Sequence, residues 1–244
     1  MRLNFCRRTI LLLAILTLTL TGCEMKPDTS DEKSEGVMTY AEFSAAPFDS
    51  EVVVETYVQG TEAWMDNNIR VYTQDHDGAY YIYALSCTEQ EASKLTPGTK
   101  IKVTGRKTAW AKQIEIVDAT FTTEDGKYVA EAEDVSAVLG SDELINAQNK
   151  KVAVHGVTVV DSGDGLAYTY GEDNSGVLGD DLYFYGEIND DTFRFKVESS
   201  LCGADTDVYK TVESLRIGDK VDMEAFLCWN ETVLPYITMI TVNN

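Results

Sequence analysis

Side chains able to act as nucleophiles, acid–base groups or metal ligands are sparse and scattered in this chain of 244 residues. The cysteines are Cys6, Cys23, Cys87, Cys202 and Cys228, and the histidines are His76 and His155. Cys23 ends an apolar run in TLTLTGCE, residues 17–24. His76 lies in an acidic stretch read as an exposed turn, and His155 sits among alternating apolar residues, as a hydrogen-bonded strand residue would. Neither has a nucleophile at a telling spacing. No H-E-x-x-H, G-x-S-x-G or phosphate-loop sequence occurs. The one S-x-x-K, from Ser30 to Lys33, falls in a polar segment and is a chance match. Among so many acids no carboxylate pair stands out for acid–base work. The chain is therefore expected not to be an enzyme and to need no cofactor. The one crowded acidic stretch is 161–181, with Asp161, Asp164, Asp173, Asp180 and Asp181. Carboxylates in a long loop suit calcium, although the spacing is not that of an EF-hand. A solvated acidic loop is the competing reading.

The elements that would carry these groups begin with an export signal. Arg2, Arg7 and Arg8 flank an apolar segment at 10–20 that is too short to span a bilayer. Leu20-Thr21-Gly22-Cys23 then resembles the lipobox of bacterial lipoproteins: aliphatic, small, Gly or Ala, Cys. The resemblance implies that residues 1–22 are removed and that Cys23 becomes the lipidated first residue. It implies a cell-envelope location, on the outer face of a bacterial membrane. More than one acyl chain is what stable anchoring takes. Residues 23–37 then read as a lipidated Cys on a polar tether, since EMKPDTSDEKSEG has too little apolar surface to fold.

Charge narrows the partners. The chain has 20 Lys and Arg against 41 Asp and Glu, a net charge of −21. Residues 1–22 carry three Arg and no acid, so the remainder stands at −24. Nucleic-acid binding rests on Lys and Arg meeting phosphates, and no basic cluster is present, so nucleic acid is expected to be an unlikely partner. With Cys6 in the signal and Cys23 as the lipid site, three thiols remain. A Cys202–Cys228 disulfide is one reading. Small buried hydrophobes are the other, because Cys87 and Cys202 occupy matching places in an internal repeat.

That repeat organises the rest of the chain. LTPGTKIKVTG at 95–105 matches LRIGDKVDMEA at 215–225, and EVVVETYVQG at 51–60 matches KVAVHGVTVV at 151–160. VYTQDHDGAYYIYALSC at 71–87 parallels LYFYGEINDDTFRFKVESSLC at 182–202, and QIEIVDATF at 113–121 parallels YITMITV at 236–242. Each half reads as three strands, a short helix and two strands, from alternation and β-branched or aromatic content. Asp77-Gly78 marks a hairpin turn. Thr88 with Glu91, and Thr39 with Glu42, are capping boxes. Val208, Val212 and Leu215 share one helical face, and residues 142–148 form a lead helix before the second half.

This order resembles the OB-fold barrel. The expected fold is all-β with short helices, as two tandem OB-fold-like five-stranded barrels, similar to poorly characterised envelope lipoproteins. The first barrel is expected at 38–122, a linker at 123–134 and the second barrel at 135–244. The long stretch at 161–181 leaves two candidates for the second barrel's second strand, 166–170 and the run from Leu182.

In OB-folds, strands two and three and the loops joining strands one to two and four to five bind oligonucleotides or oligosaccharides. The resemblance puts Trp64 and Trp110 in those two loops as a stacking platform, with Tyr72, Tyr80, Tyr81 and Tyr83 on the intervening strands, Tyr72 and Tyr80 being taken as ligand-binding with the tryptophans. Trp229 keeps a comparable place in the second half. The first barrel's third strand is apolar on both faces, so something must cover the outer one: a ligand, the second barrel, or the tryptophans folded inward. The function this implies is a membrane-anchored, extracytoplasmic binding module for a glycan, peptide or envelope protein. Its alternatives are a structural partner of another envelope protein and an oligonucleotide binder.

Overall fold

The computed structural model describes residues 33–243; the expected export signal, Cys23 and most of the expected tether lie outside them. The first half holds helix α1 (Tyr40–Ala45), strands β1 (Glu51–Thr61), β2 (Asn68–Gln74) and β3 (Ala79–Ser86), helix α2 (Glu89–Ala92), and strands β4 (Thr99–Trp110) and β5 (Gln113–Lys127). These strands close as β1-β2-β3-β5-β4. The second half holds β6 (Glu133–Asp134), a 3₁₀ turn at Asp142–Ala147, β7 (Lys151–Val160), β8 (Thr169–Tyr170), β9 (Leu182–Ile188), β10 (Asp191–Val197), α3 (Asp207–Glu213), β11 (Lys220–Asn230) and β12 (Thr232–Asn243). Strand β7 pairs with both β9 and β11, so five strands close in the same order as in the first half. The molecule is all-β with short helices, built as two tandem OB-fold barrels.

The repeat has a backbone basis. Gly98 and Gly218 both adopt positive φ, 92° and 96°, a left-handed conformation that costs glycine little. In each barrel this N–H donates to the end of the first strand: Gly98 to the Val58 carbonyl (2.7 Å) and Gly218 to the Val159 carbonyl (2.8 Å). The leads match as well, with the Met38 N–H on the Val53 carbonyl and the Val135 N–H on the Ala153 carbonyl. Both capping boxes form, Thr39 with Glu42 and Thr88 with Glu91. In α3 the fully buried face is Tyr209 and Val212, with Val208 only partly covered.

The second strand of the second barrel is β9; residues 169–170 add only a short edge strand to it. Strand β5 runs to Lys127 and β6 already belongs to the second sheet, so the chain crosses between barrels at 128–132. Docking onto the first barrel begins before residue 38. The Lys33 ammonium meets Asp75 (2.7 Å) and the Glu55 carbonyl (3.1 Å).

At the β2–β3 turn, Asp75 accepts from the Asp77 and Gly78 N–H groups. A Cβ on Gly78 would lie 2.2 Å from the Tyr40 ring. Gly78→Ala should therefore displace α1 and cost about 1–3 kcal/mol, measured by denaturant unfolding. An unchanged midpoint would mean that α1 contributes little to the first barrel.

Candidate functional site

The outer face of β2 and β3 is where an OB-fold presents its binding surface. Here the second barrel covers part of it. Phe226 of β11 stacks on Tyr72 of β2, with ring centroids 4.4 Å apart and planes 4° from parallel. Tyr81 and Cys228 complete this buried cluster between the barrels. Gly60 allows the approach, since a Cβ there would stand 2.9 Å from the Phe226 ring.

Amide side chains surround the contact. Gln113 accepts from the Trp229 N–H (2.7 Å) and donates to Asn149. Gln74 accepts from the Lys151 N–H (2.8 Å), and Gln148 donates to the Lys112 carbonyl (3.0 Å). The two hairpin tips, Ala111-Lys112 and Asn230-Glu231, touch through the Glu231 N–H and the Ala111 carbonyl (2.8 Å).

What remains open is a cleft between the barrels of about 230 Å³, joined to a hollow of about 380 Å³. Glu62, Arg70 and Tyr83 line both and form the ridge between them. Trp110 and Trp229, which end equivalent strands, stand in the first lobe; Trp64 and Met65 stand in the second. Trp110 is 66% exposed and Tyr83 43%.

The ridge is held by charge. Arg70 donates to Glu62 (2.8 Å) and lies 4.7 Å from the Tyr83 ring centroid. Burial works against its charge, but Glu62 holds the guanidinium above its ordinary value. Glu62 also accepts from the Tyr72 hydroxyl (2.8 Å) and from Ser200 (2.7 Å), so it ties the barrels together. Deeper in, Lys196 meets Glu198 (2.6 Å) and Asp181 (2.8 Å). Glu115 lies on the cleft lining, and burial raises its carboxyl while Arg70 lowers it by less.

These positions correct several expectations. Tyr72 is covered by Phe226, and Tyr80 points into the first barrel's core against Phe43 and Tyr40, donating to Asp75; neither reaches the cleft. Trp64 packs on the first core and donates to the Cys87 carbonyl (3.0 Å), so it lines one lobe without being the open face that Trp110 is. Lys196 on the second barrel's third strand is buried, held by Asp181 and Glu198 beside the Tyr183 and Tyr236 rings. Arg70 and Glu115 were missed. Alternation marks their faces, but only the docking of the second barrel leaves them in a cleft.

The acids of 161–181 do not converge. Asp161 accepts from Gly163 and Gly165, Asp173 from Ser175, and Asp180 from Val177, each within its own turn, while Asp181 binds Lys196. Asp164 sits at positive φ in an exposed turn. Among the described residues no group of three or more His, Cys, Asp or Glu is placed to hold a metal ion. Cys87, Cys202 and Cys228 are buried free thiols, and burial raises each one, Cys202 to about 11. His155 is exposed, with its Nδ1 3.7 Å from Asp222 on the second barrel.

No protein-family model matches the chain, and no curated protein matches it. Solved structures similar to it include the Ifi202 HINa domain in complex with a 20-bp double-stranded DNA, at 11% identity and TM-score 0.35, covering 80% of this chain and 100% of that one. A murine DNA-binding protein bound to double-stranded DNA matches at 12% and 0.34, covering 79% and 98%. The single-stranded DNA binding protein of Thermus aquaticus matches at 14% and 0.28, covering 80% and 81%. The expectation that nucleic acid is an unlikely partner is corrected here. Two of these structures hold DNA and the third is named for binding it.

Proposed function

We propose that this chain is a non-enzymatic binding module, held on the outer face of a bacterial membrane by lipid on Cys23, with the cleft between its barrels as its binding site. The observation that carries the reading is Trp110, a large aromatic two-thirds exposed at the rim of a concave site beside Trp229 and Tyr83. An indole left in water forgoes burial energy and offers a flat face for stacking. Its ligand is an extended polar chain: a glycan, a peptide or a segment of an envelope protein.

The lipobox-like Leu20-Thr21-Gly22-Cys23 supports the anchor. Lys33 docks beside the β2–β3 turn, at the end of β2 remote from Arg70.

Two measurements test the reading. The wild-type chain is expected in the membrane fraction and Cys23→Ser in the soluble one. Titrating Cys23→Ser with envelope glycans, and in parallel with single-stranded oligonucleotides, should give a saturable tryptophan fluorescence change. Trp110→Ala should weaken binding by about ten-fold or more, as lost stacking does, with the melting temperature unchanged. A response to oligonucleotides alone, steeply salt-dependent, would assign the cleft to nucleic acid. Silence toward both would overturn the cleft as a small-ligand site and leave a purely structural partner.

A further inference from the structure

We infer that the cleft takes an uncharged glycan segment, and that Glu115 recognises it by accepting hydrogen bonds from the sugar hydroxyls. This rests on the cleft being the binding site.

Charges lining the cleft are already matched within the protein, with one exception. Arg70 is held by Glu62, and Lys196 by Glu198 and Asp181. Ser200 Oγ lies within hydrogen-bond distance of both Glu62 (2.7 Å) and Glu198 (3.0 Å). Gln113, two residues from Glu115 on β5, is taken up by Trp229 and Asn149. Glu115 is only 7% exposed, yet its carboxylate accepts no hydrogen bond and meets no cation at ion-pair distance among the described residues. Its oxygens are not sealed from solvent, so water in the open cleft can donate to them. A bound ligand that displaces that water must supply the hydrogen bonds it made.

The same lining selects the ligand's charge. An anion would face the unpaired Glu115 as well as Glu62 and Glu198; a cation would meet Glu115 but with Arg70 and Lys196 on the same lining. Bringing either in adds like-charge repulsion to the loss of water. A neutral polyhydroxylated chain avoids both. Its apolar ring faces can lie on Trp110 and Trp229, and its hydroxyls can donate to Glu115. The second lobe, floored by Trp64 and Met65, extends the cleft beyond a single ring, and the two volumes together fall in the range of small-molecule sites.

Stability gives an independent readout. With its carboxyl raised by burial, Glu115 binds more protons folded than unfolded. Its contribution to stability therefore grows as pH falls and is unfavourable above its folded value. Keeping such a group sacrifices stability, as binding sites commonly do.

The test uses three glycan series matched in backbone but not in charge. They are chito-oligosaccharides (neutral), their de-acetylated glucosamine counterparts (cationic) and β-1,4-linked glucuronate oligosaccharides (anionic). Short single-stranded DNA is added as a fourth probe. The neutral series is expected to bind tightest. Glu115→Gln, close in shape but a weaker acceptor, should weaken it by about ten-fold or more, while its melting temperature at neutral pH stays level or rises. If Glu115→Gln binds as wild type while Trp110→Ala does not, the role given to Glu115 is wrong and the cleft stands. Tighter binding of a charged series or of DNA would overturn the ligand class. Binding of none of the four would overturn the cleft itself.

Discussion

Phe226→Ala should lower the unfolding free energy by about 3–5 kcal/mol, the cost of truncating a buried phenylalanine. In a chain of this size that is a fall in melting temperature on the order of 10 °C. Phe226 belongs to the second barrel by sequence but has its main aromatic contact, Tyr72, in the first. The variant leaves a cavity exactly at the joint between two closed barrels, each with its own core. Differential scanning calorimetry should therefore show one transition in the wild type and a broader or split one in the variant. A loss below about 1 kcal/mol would mean that the barrels are held by their peripheral amides and not by the stacked rings. The cleft between them would then be free to open and close.

The second large effect is expected at Lys196. This ammonium is buried against Glu198 and Asp181, with the rings of Tyr236 (4.9 Å) and Tyr183 (5.5 Å) nearby. Burial opposes its charge, but the surrounding Tyr236, Glu198 and Asp181 raise it well above the ordinary lysine value. Lys196→Met fills similar space and strands two carboxylates. The cost should be about 3 kcal/mol, the lower end for a broken buried pair because Asp181 keeps some contact with water.

The pH dependence distinguishes this from lost packing. Lys196 is raised, so its contribution is complete below the unfolded lysine value near 10.4 and disappears only as pH climbs through the higher folded value. Burial works against the Asp181 charge, but Lys196 and Ser199 hold its carboxyl below the ordinary value. Its share is present above about pH 4 and lost as pH falls through the folded value. Urea unfolding of wild type and Lys196→Met should therefore differ by a constant amount between about pH 5 and 9, and the two should converge in acid. A difference that persists unchanged at pH 2 would assign the effect to packing.

Both predictions concern the joint between the barrels, and so does the candidate site. Glu62 is the common element, bonded at once to Arg70 of the cleft ridge, to Tyr72 of the buried cluster and to Ser200 of the second barrel. A change in how the barrels meet is thereby a change in the shape of the cleft.

Local chemistry made much of this protein legible from its sequence. Thr39 with Glu42, and Thr88 with Glu91, announce helix starts because a side-chain oxygen and a backbone N–H three positions apart need nothing else to find each other. Gly98 and Gly218 recur at one offset because the same left-handed corner must follow the same helix in each barrel. The alternation of 51–60, 101–103 and 221–223 gives strands, and their repeated order gives two barrels. Which outer faces stay wet was decided only by the tertiary structure. Tyr72 and Tyr83 lie on neighbouring strands with similar sequence surroundings, yet one is sealed beneath Phe226 and the other stands open beside Trp110. Trp64 and Trp110 look alike in sequence, but one indole N–H finds the Cys87 carbonyl and the other indole finds solvent. Burial of an outer face depends on the relative placement of two barrels joined through 128–132. That placement is set by contacts between residues more than a hundred positions apart, such as Gln113 with Trp229, which no local pattern encodes.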